Sequence, residues 1–273
     1  MPAAFTNRST RGTIRTFFRS PLFDVIQFTA LILVFGLLVL RSGATTGYNW
    51  QWYRIPQYLF TLDQSGFTAG PLLTGLGITV KISGISLLFS LAIGLTTAFF
   101  RLSRSFVARC LATIYLETSR NTPLLIQIFF IYFVLGPTLG FNRFFSAVLA
   151  LSIFEGAYTS EIFRSGIQSV PQGQIEAARS LGLSTYYTYR HIVLPQAIRT
   201  ILPPLTSQAI SLVKDSALVS TIAIYDLTMQ AQFLVAETYL TFEIWFTVAA
   251  IYLAMTLFLS VVVGFMEKRL KLP

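Results

Sequence analysis

Between Leu72 and Phe100 the chain carries a single charged residue, Lys81. At about 1.5 Å of rise per residue, a helix of that length crosses the roughly 30 Å of a bilayer's hydrocarbon with turns to spare. Hydrocarbon offers no partner to a backbone N–H or C=O, so a segment immersed in it must pair its own peptide groups, and a lone continuous segment does that only as a helix. Similar apolar runs lie near 22–40, 111–136, 144–163, 202–224 and 242–266, the run at 111–136 ending at Gly136-Pro137, a helix stop. The expected fold class is therefore all-α: a polytopic membrane protein of about six transmembrane helices.

Composition agrees. Of 273 residues 54% are hydrophobic and 11% charged, where a soluble domain carries roughly a quarter charged. The net charge of +9 would point to nucleic acid in a soluble chain; here basic loops account for it, and no nucleic-acid partner is expected. One cysteine, Cys110, excludes an internal disulfide, and with one histidine, His191, no metal centre is expected. Arg8, Arg11, Arg15 and Arg19 precede the run from Leu22 to Leu40, which is long for a cleaved signal core and reads as a retained first span.

The loops alternate in charge. With the N-terminus in the cytoplasm, the inner segments hold Arg8, Arg11, Arg15 and Arg19, then Arg101, Arg104 and Arg109, then Arg164, Arg179, Arg190 and Arg199, then Lys268, Arg269 and Lys271. The outer ones hold Arg41, Arg54 and Arg143. Both termini and the segment 169–195 are then cytoplasmic. The outer segment 41–70, with Trp50, Trp52, Tyr53 and Tyr58, is expected to lie along the membrane interface, where amphipathic rings settle.

Segment 169–195 is polar between two apolar stretches. Ser169 and Pro171 read as the start of a short helix, Glu176 and Arg179 as a pair one turn apart, and Ala177 and Ala178 as a thin face able to lie in a groove. Gly182 reads as a left-handed helix end and Ser184 as the cap of a second helix. Ile192 and Leu194 lead back to the membrane, with Pro195 at the bend. This spacing resembles the EAA loop of permease subunits in bacterial ABC importers, where the loop inserts into the ATPase subunit. The segments Gly77–Ser83, Arg120–Gln127, Gly156–Arg164 and Lys214–Leu218 resemble, in order, the polar amino-acid branch of that family, over about residues 70–270.

The resemblance implies a type I ABC importer permease fold with one extra N-terminal span. Residues 1–69 would be the cytoplasmic tail, extra span and periplasmic loop, and 70–273 a five-span core in the bacterial inner membrane. It also implies polar amino-acid import, two ATPase subunits, a second permease subunit and a periplasmic or lipid-anchored binding protein, with Glu176, Ala177, Ala178, Gly182, Ile192, Leu194 and Pro195 forming the coupling element. The chain has no phosphate-binding Gly-x-x-x-x-Gly-Lys-Ser/Thr sequence. ATP and magnesium would be held by the partner ATPases, and this chain is not expected to be an enzyme or to bind a cofactor itself.

Charges within the spans each need a partner or a water-filled cavity, since each otherwise costs about 2.5–3.5 kcal/mol or more, and near the interfaces, where Lys81 and Glu161 fall, snorkelling is enough. The candidates are Lys81, Glu117, Arg120, Glu155, Glu161, Lys214 and Asp215. Arg120 either holds a substrate carboxylate with its planar fork or pairs with Glu117 or Asp215. Gln208, Ser211 and Asp215 share a helix face that either lies beside a translocation path or makes interhelical hydrogen bonds; with Arg120 they are the candidate substrate-binding residues. Some relatives that import cationic amino acids have Glu in place of Gln208, so Gln208 argues against a cationic substrate. Asn121, where a Gly is frequent, resembles the glutamate and broad-range systems. The rival reading is a secondary transporter or channel using an ion gradient; its usual mark, a repeat with matching broken helices, is not found.

Overall fold

The computed structural model describes residues 21–45, 48–63 and 66–270. The basic residues Arg8, Arg11, Arg15, Arg19 and Lys271 lie outside them. The chain divides into two units, Met1–Trp50 and Gln51–Pro273. In the first, α1 (Pro21–Thr45) covers the first expected span, and every side chain from Val25 to Val34 is exposed. A helix apolar all round is at home in lipid.

The second unit opens with a 3-10 turn (Trp52–Arg54), α2 (Ile55–Leu59) and an antiparallel hairpin, β1 (Phe60–Asp63) with β2 (Gly66–Ala69), pairing Phe60 with Ala69. The hairpin is the one departure from an all-helical chain among the described residues. The buried Glu243 carboxylate accepts the Gln51 N–H at 2.7 Å, which ties this segment to the last helix, while Trp52, Tyr53 and Phe67 are exposed.

Helices follow. They are α3 (Pro71–Leu102), α4 (Phe106–Asn121), α5 (Leu124–Phe129), α6 (Gly136–Leu139) and α7 (Arg143–Gln168). Then come α8 (Gln172–Ser180), α9 (Thr185–Thr188), α10 (Leu194–Asp215), α11 (Leu227–Thr238) and α12 (Thr241–Leu270). Side chains fix several starts: Ser105 accepts from Ala108 N, Asn142 from Phe145 N and Asp226 from Met229 N.

Among the described residues, Pro71–Leu102 and Thr241–Phe265 are each long and apolar enough to span a bilayer. The run expected as a third span is instead two helical arms, Phe106–Asn121 and Leu124–Leu139, bent by 109°. Pro123 supplies no N–H at the break, and the Gln127 side chain takes over, donating to Ser119 O at 2.7 Å and Thr122 O at 3.0 Å. The second arm does not stop at Gly136-Pro137. Pro137 sits in the first turn of α6, where a missing N–H costs nothing, and the chain turns at Gly140, φ 72°. The fifth run likewise joins α11 through a 50° bend.

The densest packing is between α3 and α7, and small residues make it. Ser83, Ser86, Ser90, Gly94 and Thr97 are buried in one stripe of α3, opposite Ser152, Gly156 and Thr159 of α7. A Cβ on Gly94 would lie 2.7 Å from Thr159 Cβ, and one on Gly156 2.8 Å from Ile93 Cγ2. Lipid removes the hydrophobic drive between helices, so close backbone approach and interhelical hydrogen bonds replace it. Ser152 Oγ donates to Ser86 O at 3.3 Å. Around this seam Ile82, Leu124, Ile128, Ala147, Leu151 and Leu212 form the main core. Two of the intramembrane charges are also satisfied here: Lys81 lies over the Phe144 ring at 5.4 Å, and Glu161 pairs with Arg101 and Arg164.

Candidate functional site

The polar stripe on α10 meets a buried acid on α7. Gln208 Nε2 donates to Glu155 Oε2 at 2.5 Å, and Glu155 is 1% exposed. Its second oxygen, Oε1, has no hydrogen-bond partner. The carboxyl groups of Glu155 and Asp215 interact with each other. Gln208, Ser211 and Asp215 are all half-exposed, so the stripe has one side against α7 and one side open.

Arg120 approaches the same stretch of α7. It sits in the last turn of α4, exposed, with its guanidinium 5.7 Å from the centre of the Tyr158 ring. Tyr158 is one helical turn from Glu155, close enough for the two side chains to be neighbours. Arg120 forms no ion pair with Glu117 or Asp215; Glu117 instead accepts from Asn121 Nδ2 at 2.9 Å. Gln208 and Asp215 thus meet Glu155, and Arg120 meets Tyr158 one turn along α7. That turn supplies Glu155, expected among the charges within the spans but not as a substrate-binding residue, and Tyr158, which was not expected. The signal available for them was a Glu and a Tyr three apart in an apolar run.

The segment expected to couple is built as follows. α8 ends at a left-handed Gly182, φ 75°. Gly182 N donates to Arg179 O at 2.9 Å and Leu183 N to Ala178 O at 3.1 Å, the paired bonds that satisfy a helix's last carbonyls. Ser184 caps α9 by accepting from Tyr187 N at 3.4 Å. Ala178 is buried against the chain's own core while Ala177 faces out, so the two alanines do not share one face. Glu176 is exposed and makes no ion pair with Arg179. Ser169 does not start α8: it ends α7, donating to Gly166 O at 2.8 Å, and Pro171 takes the cap position instead.

Nor is there a bend at Pro195. The chain is helical from Thr185 to Ile222, with a wide π turn at Tyr189–Val193 leading into α10. A proline ring strikes the carbonyl four residues back in a regular helix. The widened turn removes that clash, so Pro195 is carried inside the first turn of α10. Ile192 is half-buried, while Leu194 and Pro195 are exposed. Gln196 Nε2 donates to Gln174 Oε1 at 2.5 Å, and Ile175 packs with Val170, Val193, Ala197 and Ile201 beneath, fastening α8 to α10.

Residues 90–272 match the model of the family described as binding-protein-dependent transport system inner membrane component. The chain is 38% identical over 204 residues to the glutamine transport system permease protein GlnP of Escherichia coli K12, covering 74% of this chain and 93% of that one. It is 40% identical over 184 residues to the nopaline transport system permease protein NocM of Agrobacterium fabrum, covering 63% and 76%. A solved amino acid ABC transporter with histidines superposes at a TM-score of 0.69 with 39% identity, over 73% of this chain and 94% of that chain. The fold is that of a type I ABC importer permease, a transport component and not an enzyme. The chain belongs to the family of binding-protein-dependent transport system inner membrane components.

Proposed function

We propose that this chain is the membrane-spanning subunit of an ATP-driven importer of polar amino acids in the bacterial inner membrane. Two ATPase subunits dock on the segment 169–195 and supply the ATP and magnesium chemistry. A second permease subunit completes the pore, and a periplasmic or lipid-anchored binding protein delivers the substrate. Both termini are cytoplasmic, and residues 1–69 add an extra span to a core at 70–273. Arg120 takes the substrate carboxylate, and Gln208, Ser211 and Asp215 line its path.

The observation that carries this reading is mechanical. The helix that begins at Thr185, inside the coupling segment, continues through α10 to Gln208 and Asp215. A push on α8 and α9 therefore reaches the polar stripe along one continuous helix, which carries the widened turn at Tyr189–Val193 and two interior prolines, Pro203 and Pro204, before Gln208. The relatives' names, which include glutamine and nopaline systems, support a polar amino-acid or amino-acid-derived substrate. They give the ion-gradient alternative no support. The test is copurification. Glu176→Lys, on the exposed face of α8, should release the ATPase subunits while the chain still inserts. Undiminished copurification together with full uptake would remove the segment from the coupling role.

A further inference from the structure

We infer that Glu155 is a positioning residue that sets which end of the Gln208 amide faces the path, and that the subunit thereby selects substrates with a hydrogen-bond donor on the side chain. This rests on the reading that Gln208 lines the substrate path.

An amide carries two donors on nitrogen and only acceptor sites on oxygen. Which end points where is decided by its neighbours. Glu155 Oε2 accepts from Gln208 Nε2 at 2.5 Å. With the Glu155 carboxyl ionised, flipping the amide would set its oxygen against a carboxylate oxygen in a site that is 1% exposed. The nitrogen is thus committed to α7, and the carbonyl oxygen, which diverges from it across the planar amide, is turned away from Glu155. Asp215, seven residues along the same face and half-exposed, is engaged with Glu155 and is not counted on that side.

The open side of the stripe consequently presents an acceptor, the Gln208 carbonyl. A carboxamide N–H or an ammonium satisfies it. A carboxylate meets only oxygen. Gln208 by itself argues against a cationic substrate; held by Glu155, it accepts one. The class selected is amino acids whose side chain ends in an amide or a cation, over acidic ones.

The experiment measures binding of glutamine, lysine and glutamate to the purified complex of permease and ATPase subunits, without the binding protein that would filter them. The unmodified complex should bind glutamine and lysine over glutamate by about tenfold or more, the scale of one lost hydrogen bond next to an unpaired acceptor. In Glu155→Gln the partner offers both donor and acceptor, so the Gln208 amide is free to turn. The preference should then fall toward unity, chiefly because glutamate binds better. Glu155→Leu removes the acceptor altogether and leaves the Gln208 amide unheld; it should collapse the ratio in the same way and is the second variant. A merely structural role would weaken all three ligands together and leave the ratio intact, and that result overturns the proposal. So does an unmodified complex that prefers glutamate or binds neither donor. Gln208→Leu separates the two layers: if it leaves every affinity unchanged, the reading of Gln208 as a path residue fails, whatever Glu155 does.

Discussion

Gly166 of α7 and Ile201 of α10 touch so closely that a Cβ on the glycine would lie 2.2 Å from Ile201 Cγ1. This contact sits below the Glu155–Gln208 pair on the same two helices, so it fixes how far apart the site's two walls stand. Ile201 Cγ1 is close to its own backbone and cannot swing clear as a side-chain tip would. Gly166→Ala should therefore force the helices apart and destabilise the purified chain by about 1–3 kcal/mol, as overpacked cores do. Gly173→Ala, where nothing lies within 4 Å, is the control. Thermal unfolding in detergent reads both; equal midpoints would show that the contact is slack.

Gly182 is required by conformation and not by space. Nothing lies within 4 Å of its missing Cβ, but its φ is 75°. A β-branched residue there is strained. Gly182→Val should misdirect Leu183 and α9, so that uptake and substrate-stimulated ATPase activity fall together while membrane insertion is unchanged. Insertion is read by membrane fractionation, coupling by ATPase assay. Full coupling in the variant would count against the segment.

How much of this was legible in the sequence depended on whether the information was local. Gly182 and Ser184 could be placed because a left-handed helix end and a cap involve residues three or four apart. Ser169 could not, because whether a serine ends one helix or starts the next depends on the exact length of the first. Pro123 is a helix breaker within the run 111–136, but the 109° fold there depends on Gln127 reaching back to two carbonyls. Pro195 read as a bend because a regular helix rejects it; the π turn at Tyr189–Val193 has no sequence mark of its own. The polar stripe on α10 followed from its spacing. Its partner, Glu155, lies on another helix, 53 residues away along the chain, and no periodicity points across helices.

Arg120 forms no ion pair among the described residues and lies over Tyr158. If its fork holds a substrate carboxylate, Arg120→Lys keeps the charge but loses the two parallel bonds. Uptake should fall by about tenfold, the scale of one charge-assisted hydrogen bond, with ATPase assembly intact. Radiolabelled uptake in proteoliposomes measures it. Transport at the unmodified rate would assign Arg120 a packing role against Tyr158.

The orientation rests on loop charge and is checked by labelling. In a Cys110→Ala background, Gln232→Cys should react with an impermeant thiol reagent added outside intact cells. Thr185→Cys should react only after permeabilisation. Both positions are exposed. Outside labelling at Thr185 would invert the topology and remove the coupling segment from the ATPase.

The most direct test of the whole account is amino-acid uptake by the complete complex in proteoliposomes, with ATP enclosed and no ion gradient, using the chain with its ATPase subunits, second permease subunit and binding protein. The account predicts accumulation that needs hydrolysable ATP, is lost when ADP replaces it, and is lost in Gly182→Val. Uptake that persists without ATP and follows an imposed proton or sodium gradient would contradict it.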